Sequence, residues 1–301
     1  MKIFKKTSIS KNFKNSVLAI GNFDGVHIGH SKVLRSAYTN AKKEKRKFGL
    51  LTFEPLPVMF FNKKIKNHRI DSIDQKVENL KTKKLDFVIT QKFDKEFSKK
   101  NYKEFISEIL SKRINCKYVY VSKNFRFGNK REGNIKKLKT FEKKYFYKTI
   151  ITSPVKKNKK TISSTSIRKY IKMGKIKKAN NLLGRKWEII GKVIKGNRRG
   201  RKIGFPTCNI SLNSYVIPKF GVYAVSVKIN NIFKKGIANI GYRPTFNGKK
   251  LLLEVNIFNF RKNLYNKKIN VIFNKFIRPE KKFKNILHLK NQIKKDIRLA
   301  K

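Results

Sequence analysis

The spacing of apolar runs changes once along this chain, and that change limits its architecture more than any other feature. Up to about residue 180, short β-rich runs alternate with stretches of helical periodicity. Ser16–Asn22, Phe48–Phe53, Leu85–Thr90, Tyr118–Ser122 and Phe146–Thr152 read as buried strands, with Ser31–Lys45, Ile73–Lys83, Tyr102–Lys112 and Ile135–Lys144 as the helices between them. Such alternation predicts an α/β fold with a parallel, doubly wound sheet, whose ligands sit at the carboxyl ends of strands. From about Gly184 strands follow one another: Trp187–Ile194, Gly221–Ile229, Phe233–Ile240, Leu251–Phe258 and Ile269–Phe273, with only Phe283–Leu299 helical. That succession predicts a small antiparallel β-barrel with a C-terminal helix. The junction falls within Leu182–Lys186, giving expected domains of residues 1–183 and 184–301. Each is of a size that can fold alone.

Charge is the next constraint. The chain carries 77 Lys and Arg against 17 Asp and Glu, a net +60. Clustered cations gain affinity for polyanions by releasing counterions, which suggests nucleic acid. The excess is mostly Lys, however, spread from Lys2 to Lys301 and accompanied by abundant Asn, Ile and Phe. All four residues have A/T-rich codons, so mutational drift is the better account of the composition. No zinc-finger, helix-turn-helix or RNP pattern is present, so any nucleic-acid contact is expected to be weak and non-specific. The 24 Phe and 11 Tyr argue against a disordered chain. Two distant cysteines, Cys116 and Cys208, fit neither a disulfide framework nor a zinc site. The N-terminus lacks an apolar signal region, and no apolar run reaches the ~18–20 residues that span a bilayer. A cytoplasmic enzyme without membrane contact is expected. Nothing in the sequence sets an oligomeric state.

The first strand runs into Phe23-Asp24-Gly25-Val26-His27-Ile28-Gly29-His30 and then a helix. Gly25 permits a sharp turn, and Gly29 lets a ligand approach the backbone. His27 and His30 are three residues apart at a helix start, so both can face one group. A helix N-terminus offers free N–H groups and partial positive charge to a phosphate. This His-x-Gly-His arrangement is that of nucleotidyltransferases, where positioning and electrostatics carry the catalysis. A second helix opens with Ile162-Ser163-Ser164-Thr165-Ser166-Ile167-Arg168. Its hydroxyls and Arg168 can hold a leaving pyrophosphate, although such a start alone is more often a simple cap.

The barrel half contains Gly196, Gly200 and Gly204 at intervals of four in a basic loop, followed by Phe205-Pro206-Thr207-Cys208-Asn209. Backbone amides of such a loop can wrap phosphates. In an extended segment Thr207 and Asn209 point to one side, and both offer oxygen ligands suited to Mg²⁺. Glu254 shares a face with Asn256 in an alternating strand, which by pattern alone favours solvent. Only Glu254 and Glu280 lie between Glu188 and Asp296, however, so candidate bases are few.

With these motifs in place, the chain resembles the bifunctional prokaryotic riboflavin kinase/FMN adenylyltransferase family, also called FAD synthetase. GNFDGVHIGH, TFEPLP, NFRFGNKREG and ISSTSIR resemble its adenylyltransferase domain; GxxxGxxxGFPTxN, GVYAVSV, ANIGYRPT, LEVNIF and FIRPEKKF resemble its riboflavin kinase domain. The resemblance implies phosphorylation of riboflavin to FMN and adenylation of FMN to FAD, each with ATP and Mg²⁺. It implies His27 and His30 on the ATP phosphates, with Ser164, Thr165 and Arg168 opposite, and a flavin-side pocket drawn from Phe53, Pro55, Asn124 and Arg126. In the second domain it implies Thr207 and Asn209 on Mg²⁺ and Glu254 as general base. Two departures stand out: Ser122 where the family has Gly, and Cys208 where it has Ala. Three other readings compete: a fold reduced to one activity, a nucleic-acid binder, and an adenylyltransferase for another phosphate ester.

Overall fold

The computed structural model of the chain describes residues 1–157, 160–196, 199–245, 248–260 and 262–301. Two compact units emerge: residues 1–65 with 73–163, and residues 66–72 with 164–301.

In the first unit six strands form one sheet: β1 (Lys2–Phe4), β2 (Val17–Ile20), β3 (Phe48–Glu54), β4 (Phe87–Lys92), β5 (Tyr118–Ser122) and β6 (Lys148–Thr152). Their order is β1-β4-β3-β2-β5-β6, and every pairing is parallel. Both faces are buried, and the alternation of side chains along the strands divides the core in two. Leu18, Ile20, Leu51, Phe87, Ile89, Val119 and Val121 pack on one face with Ile106, Ile109 and Leu110 of the helical stretch after Tyr102. Val17, Ala19, Phe48, Leu50 and Val88 pack on the other. There they meet Leu34, Ala37 and Ala41 of α1 (Ile28–Lys43) and Leu80 of α2 (Ile73–Lys81). The order reverses between β2 and β5, which opens a crevice at the carboxyl end of β2.

The second unit is a closed antiparallel barrel of β7 (Glu188–Ile194), β8 (Cys208–Ser211), β9 (Gly221–Ile229), β10 (Ile232–Thr245), β11 (Gly248–Ile257) and β12 (Lys268–Arg278). Closure leaves no strand edge for another chain to pair with. Residues two apart fill the interior, among them Tyr223, Val225 and Val227 on β9, Ala238 and Ile240 on β10, and Leu253 and Val255 on β11. α3 (Ser164–Lys172) and α4 (Ile176–Leu183) add Ile167, Ile171, Ile176, Ala179 and Leu183 to this same core. The C-terminal α5 (Ile286–Ala300) is tied to β12 by Arg278, which donates from Nε and Nη2 to the buried Asp296 carboxylate at 2.7–3.1 Å.

The alternating and successive rhythms thus give the expected architectures, but the compact units part elsewhere than at residue 184. Residues 164–183 pack with the barrel, and so do residues 66–72. Trp187 Nε1 donates to the Ile70 carbonyl at 2.9 Å, and Arg185 donates to both oxygens of the fully buried Asp71 at 2.6 Å. Periodicity cannot show such contacts, because they join segments more than a hundred residues apart. Two short strands were also invisible in the pattern. β1 has three residues and lies at the sheet edge; β8 has four and takes its identity from β7 and β11 on either side. The expected helix over 135–144 is broken at Phe141, and the one over 102–112 winds as a π-helix from Phe105 to Ile114.

Trp187 is the sole tryptophan and is fully buried in the second unit, so its fluorescence reports on that unit. Asp296→Ala leaves the Arg278 guanidinium without its carboxylate and is expected to destabilise the barrel unit by about 3–5 kcal/mol. Urea unfolding followed at Trp187 checks this. A fragment of residues 164–301 is expected to melt at a higher temperature than one of residues 184–301, which lacks the covering apolar residues of α3 and α4. Equal midpoints would mean that the two helices add nothing to the barrel.

Candidate active sites

β2 ends at Ile20 in the middle of the sheet, and the chain turns through residues 21–27 before α1 begins at Ile28. The turn is strained: Phe23 and Val26 have φ of 46° and 36°, with Gly25 at 83°. Positive φ at a β-branched residue is a genuine outlier, costing on the order of 1–3 kcal/mol. Burial of the Phe23 and Val26 side chains holds it. His27 caps α1, its Nδ1 accepting from the His30 N–H at 3.2 Å. With Nδ1 so engaged, the neutral ring carries its proton on Nε2 and can donate from there.

The His30 ring stacks on that of His27, centroids 3.6 Å apart, with Phe23 on its other side at 4.8 Å. The two imidazoles therefore lie together at the start of α1. Gly29 stands close by, where a Cβ would press on the His27 ring at 3.0 Å. His30 Nδ1 is buried and has no hydrogen-bond partner among the described residues. Burial, then the neighbouring charges of His27 and Lys76, lower the His30 pKa well below 6.5. A neutral imidazole with an unfilled nitrogen at a helix N-terminus is suited to contact a phosphate.

The pocket residues expected on the flavin side come from the strands flanking β2. Phe53 at the end of β3 is 8% exposed and packs against Phe93 and Phe97 at 5.9 and 5.7 Å. Pro55 follows it, half-buried. Asn124 and Arg126 are exposed in the segment after β5. Phe53 thus belongs to an interior aromatic cluster that reaches the surface at Phe60 and Phe61, residues the sequence reading did not single out. Ser122 is not among the residues with positive φ, so its replacement of Gly costs the backbone nothing. Ser164, Thr165 and Arg168 open α3, in the second compact unit, with Arg168 Nη2 donating to Thr165 Oγ1 at 3.4 Å.

In the barrel, strand register builds the second site. Asn209 on β8 stands opposite Glu254 on β11, and Glu254 stands opposite Asn239 on β10. Directly opposed side chains share a face, with Cβ atoms roughly 4.5–5.5 Å apart. The flanking rows are fully buried: Ile210, Leu253 and Ile240 on one side, Val255 and Ala238 on the other. The polar row therefore lies on the outer face. Glu254 is half-buried there and Asn209 is 8% exposed. Asn239 Nδ2 donates to Glu280 Oε1 at 3.2 Å, bringing in the other acid of this segment. Asn256, one alternation beyond Glu254, donates to the Pro206 carbonyl at 2.7 Å and so fixes the backbone just before the exposed Thr207.

The loop glycines serve different needs. A Cβ on Gly196 would strike Asn209 Nδ2 at 1.9 Å, and one on Gly200 would strike the Phe205 carbonyl at 2.4 Å. Gly204 instead supplies a φ of 88°. Asn209 Oδ1 is buried without a partner among the described residues. A buried acceptor lacking a donor, opposite Glu254 in register and two residues from Thr207, belongs to a hard-oxygen set of the kind that fits a magnesium ion. Burial pushes the intervening Cys208 thiol up to about 12, so it supplies no thiolate.

Similarity to known proteins covers both sites. A family model described as FAD synthetase matches residues 9–166, and one described as Riboflavin kinase matches residues 183–301. The bifunctional riboflavin kinase/FMN adenylyltransferase of Buchnera aphidicola from Schizaphis graminum is 45% identical, over 98% of this chain and 96% of its own. That of Escherichia coli K12 is 36% identical, over 93% and 90%. A crystal structure from Streptococcus pneumoniae, described as a macrolide-efflux protein, superposes with a TM-score of 0.86 at 30% identity, over 99% of this chain and 97% of its own.

The depressed pKa of His30 has a measurable sign. The unfolded chain takes up this proton near pH 6.5 and the folded one only well below. Stability is therefore fully present above 6.5 and falls as pH drops toward the folded-state value. Imidazole proton NMR should show His30 still neutral at pH 6.5 in the free protein, and pyrophosphate should raise its midpoint. An ordinary midpoint without ligand would overturn the burial argument.

Proposed function

The chain belongs to the bifunctional riboflavin kinase/FMN adenylyltransferase family, and on that premise we propose how its residues divide two consecutive transfers. It converts riboflavin to FMN and FMN to FAD, with ATP as co-substrate of both steps. The functional division is residues 184–301 for the kinase and residues 1–183 for the adenylyltransferase. The observation that carries the kinase assignment is the register that sets Glu254 across from Asn209.

In the kinase step Glu254 accepts the proton of the riboflavin 5′-hydroxyl while that oxygen bonds to the γ-phosphorus of ATP and ADP leaves. The amides around Gly196, Gly200 and Gly204 cradle the phosphates. Thr207 and Asn209 hold Mg²⁺, which supplies charge neutralisation to the phosphates when bound. Pro206, fixed by Asn256, keeps Thr207 in place.

In the adenylyl step a phosphate oxygen of FMN bonds to the α-phosphorus of ATP and pyrophosphate leaves. His27 and His30, at the start of α1, donate to the phosphates as charge builds there. Ser164, Thr165 and Arg168 take the leaving pyrophosphate. Phe53, Pro55, Asn124 and Arg126 form the flavin side. Among the described residues no helix is long and apolar enough to cross a membrane; the proposed site of action is the cytoplasm, with only non-specific contact to nucleic acid.

Purified protein given riboflavin, ATP and Mg²⁺ should yield FMN and FAD on chromatography, and absence of both would sink the reading. Glu254→Gln keeps the shape without the basicity and is expected to lower kinase turnover by about 10²–10⁴, with FMN adenylation unchanged. Replacing both His27 and His30 by Ala should give the converse, with FMN accumulating and FAD absent.

A further inference from the structure

Lys76 is among the largest fully buried side chains in the molecule. Lysine almost never occupies such a position, because removing its ammonium from water is expensive unless partners replace the lost hydration. Its Nζ donates to the Asn22 carbonyl at 3.1 Å and contacts Thr52 Oγ1 at 3.2 Å. Thr52, itself fully buried, donates from Oγ1 to the same Asn22 carbonyl at 3.0 Å. Both lone pairs of that oxygen are thereby used, one by each donor.

Asn22 is the residue before Phe23, where the strained part of the loop begins. A backbone held at positive φ persists only if its surroundings over-determine it. Lys76 and Thr52 fix the strand side of the loop, and the His27 cap fixes the helix side. The ammonium also acts electrically on His30, being one of the charges that hold that ring unprotonated.

We propose that Lys76 is a positioning residue for FMN adenylation. It pins the Asn22 carbonyl at the root of the loop that carries His27 and His30, and it keeps a fixed positive charge close to the phosphate seat. The role is distinct from folding alone. A core position could be filled by an apolar residue with less desolvation, whereas a permanent charge near a developing phosphate charge contributes to the transition state without reorganisation. The proposal rests on the assignment of adenylyl transfer to the His27–His30 loop.

Full-length Lys76→Met, Lys76→Arg and Thr52→Val variants test it, each assayed for both activities, beside the double replacement of His27 and His30 by Ala. Lys76→Met is expected to lower kcat for FAD formation by about 10²-fold, to leave KM for FMN within about threefold, and to leave kinase turnover unchanged. Its adenylation pH profile should have its acid limb moved to higher pH, because His30 protonates more readily without the neighbouring cation. Lys76→Arg retains charge and should keep the limb in place even where tighter packing lowers kcat. An unmoved limb in Lys76→Met, or adenylation within about twofold of the parent, overturns the proposal.

If Lys76→Met does not fold, Thr52→Val decides. Loss of one pin should cost about fivefold in adenylation kcat with the kinase intact, and full adenylation there overturns the proposal. If the double His variant still makes FAD, the site assignment itself is wrong; if it does not while Lys76→Met is normal, only the role of Lys76 falls.

Discussion

The chemistry of the barrel unit depends on one constraint, the register of β8, β11 and β10. Ile210, Leu253 and Ile240 must lie in line for the interior to close, and they do so with full burial. Because side chains alternate with a period of two, the next residues in line, Asn209, Glu254 and Asn239, are forced to the outer face together. A slip of one residue would send the carboxylate into an apolar interior and the isoleucines into water. Apolar burial thus sets the position of Glu254, and no separate device is needed to aim it. The basic loop is then seated against this row, with Gly196 and Gly200 leaving no room for any side chain of their own.

The first unit reaches a similar end by a different route. Its central strands β2 to β5 are largely buried on both faces, so they offer no outer face for polar groups. They collect instead where the strands stop, at the carboxyl end of β2 beside the reversal of strand order. Backbone strain is concentrated there, at Phe23 and Val26. Two buried side chains, Lys76 and Thr52, act on one carbonyl at the strand side of the loop, and the His27 cap acts at its helix side. In both units, then, the candidate groups lie at a place that ordinary packing defines, and a few hydrogen bonds set their final position.

Charge has two meanings in this molecule. Most of the +60 is solvated surface, carrying little structural information. A few cations are different. Arg278 and Arg185 are each paired with a buried carboxylate, Asp296 and Asp71, and tie distant segments to the barrel. Such pairs add little net stability over apolar substitutes, yet breaking one by removing a single partner is costly. They therefore specify which segments dock, including residues 66–72, which periodicity would assign elsewhere.

Both architectures, the His-x-Gly-His turn, the glycine loop with Thr207 and Asn209, and the candidacy of Glu254 were legible in the residues, because each depends on local spacing. Periods of 3.6 and 2 are written along the chain, and so are the glycines that a turn or close approach demands. Other features were decided only in three dimensions. Alternation favoured solvent for Glu254; only the register shows Asn209 and Asn239 on either side of it. Phe53, named for a flavin pocket, is an interior residue backed by Phe93 and Phe97, which lie about forty residues further on. Lys76 lies with Gln75 and Leu80 on the buried side of α2, where a charge is unusual. In a chain with 77 Lys and Arg one more lysine carries no signal, and only its burial against Asn22 and Thr52 distinguishes it. Local spacing is a property of the sequence, whereas desolvation depends on which distant residues close around a side chain.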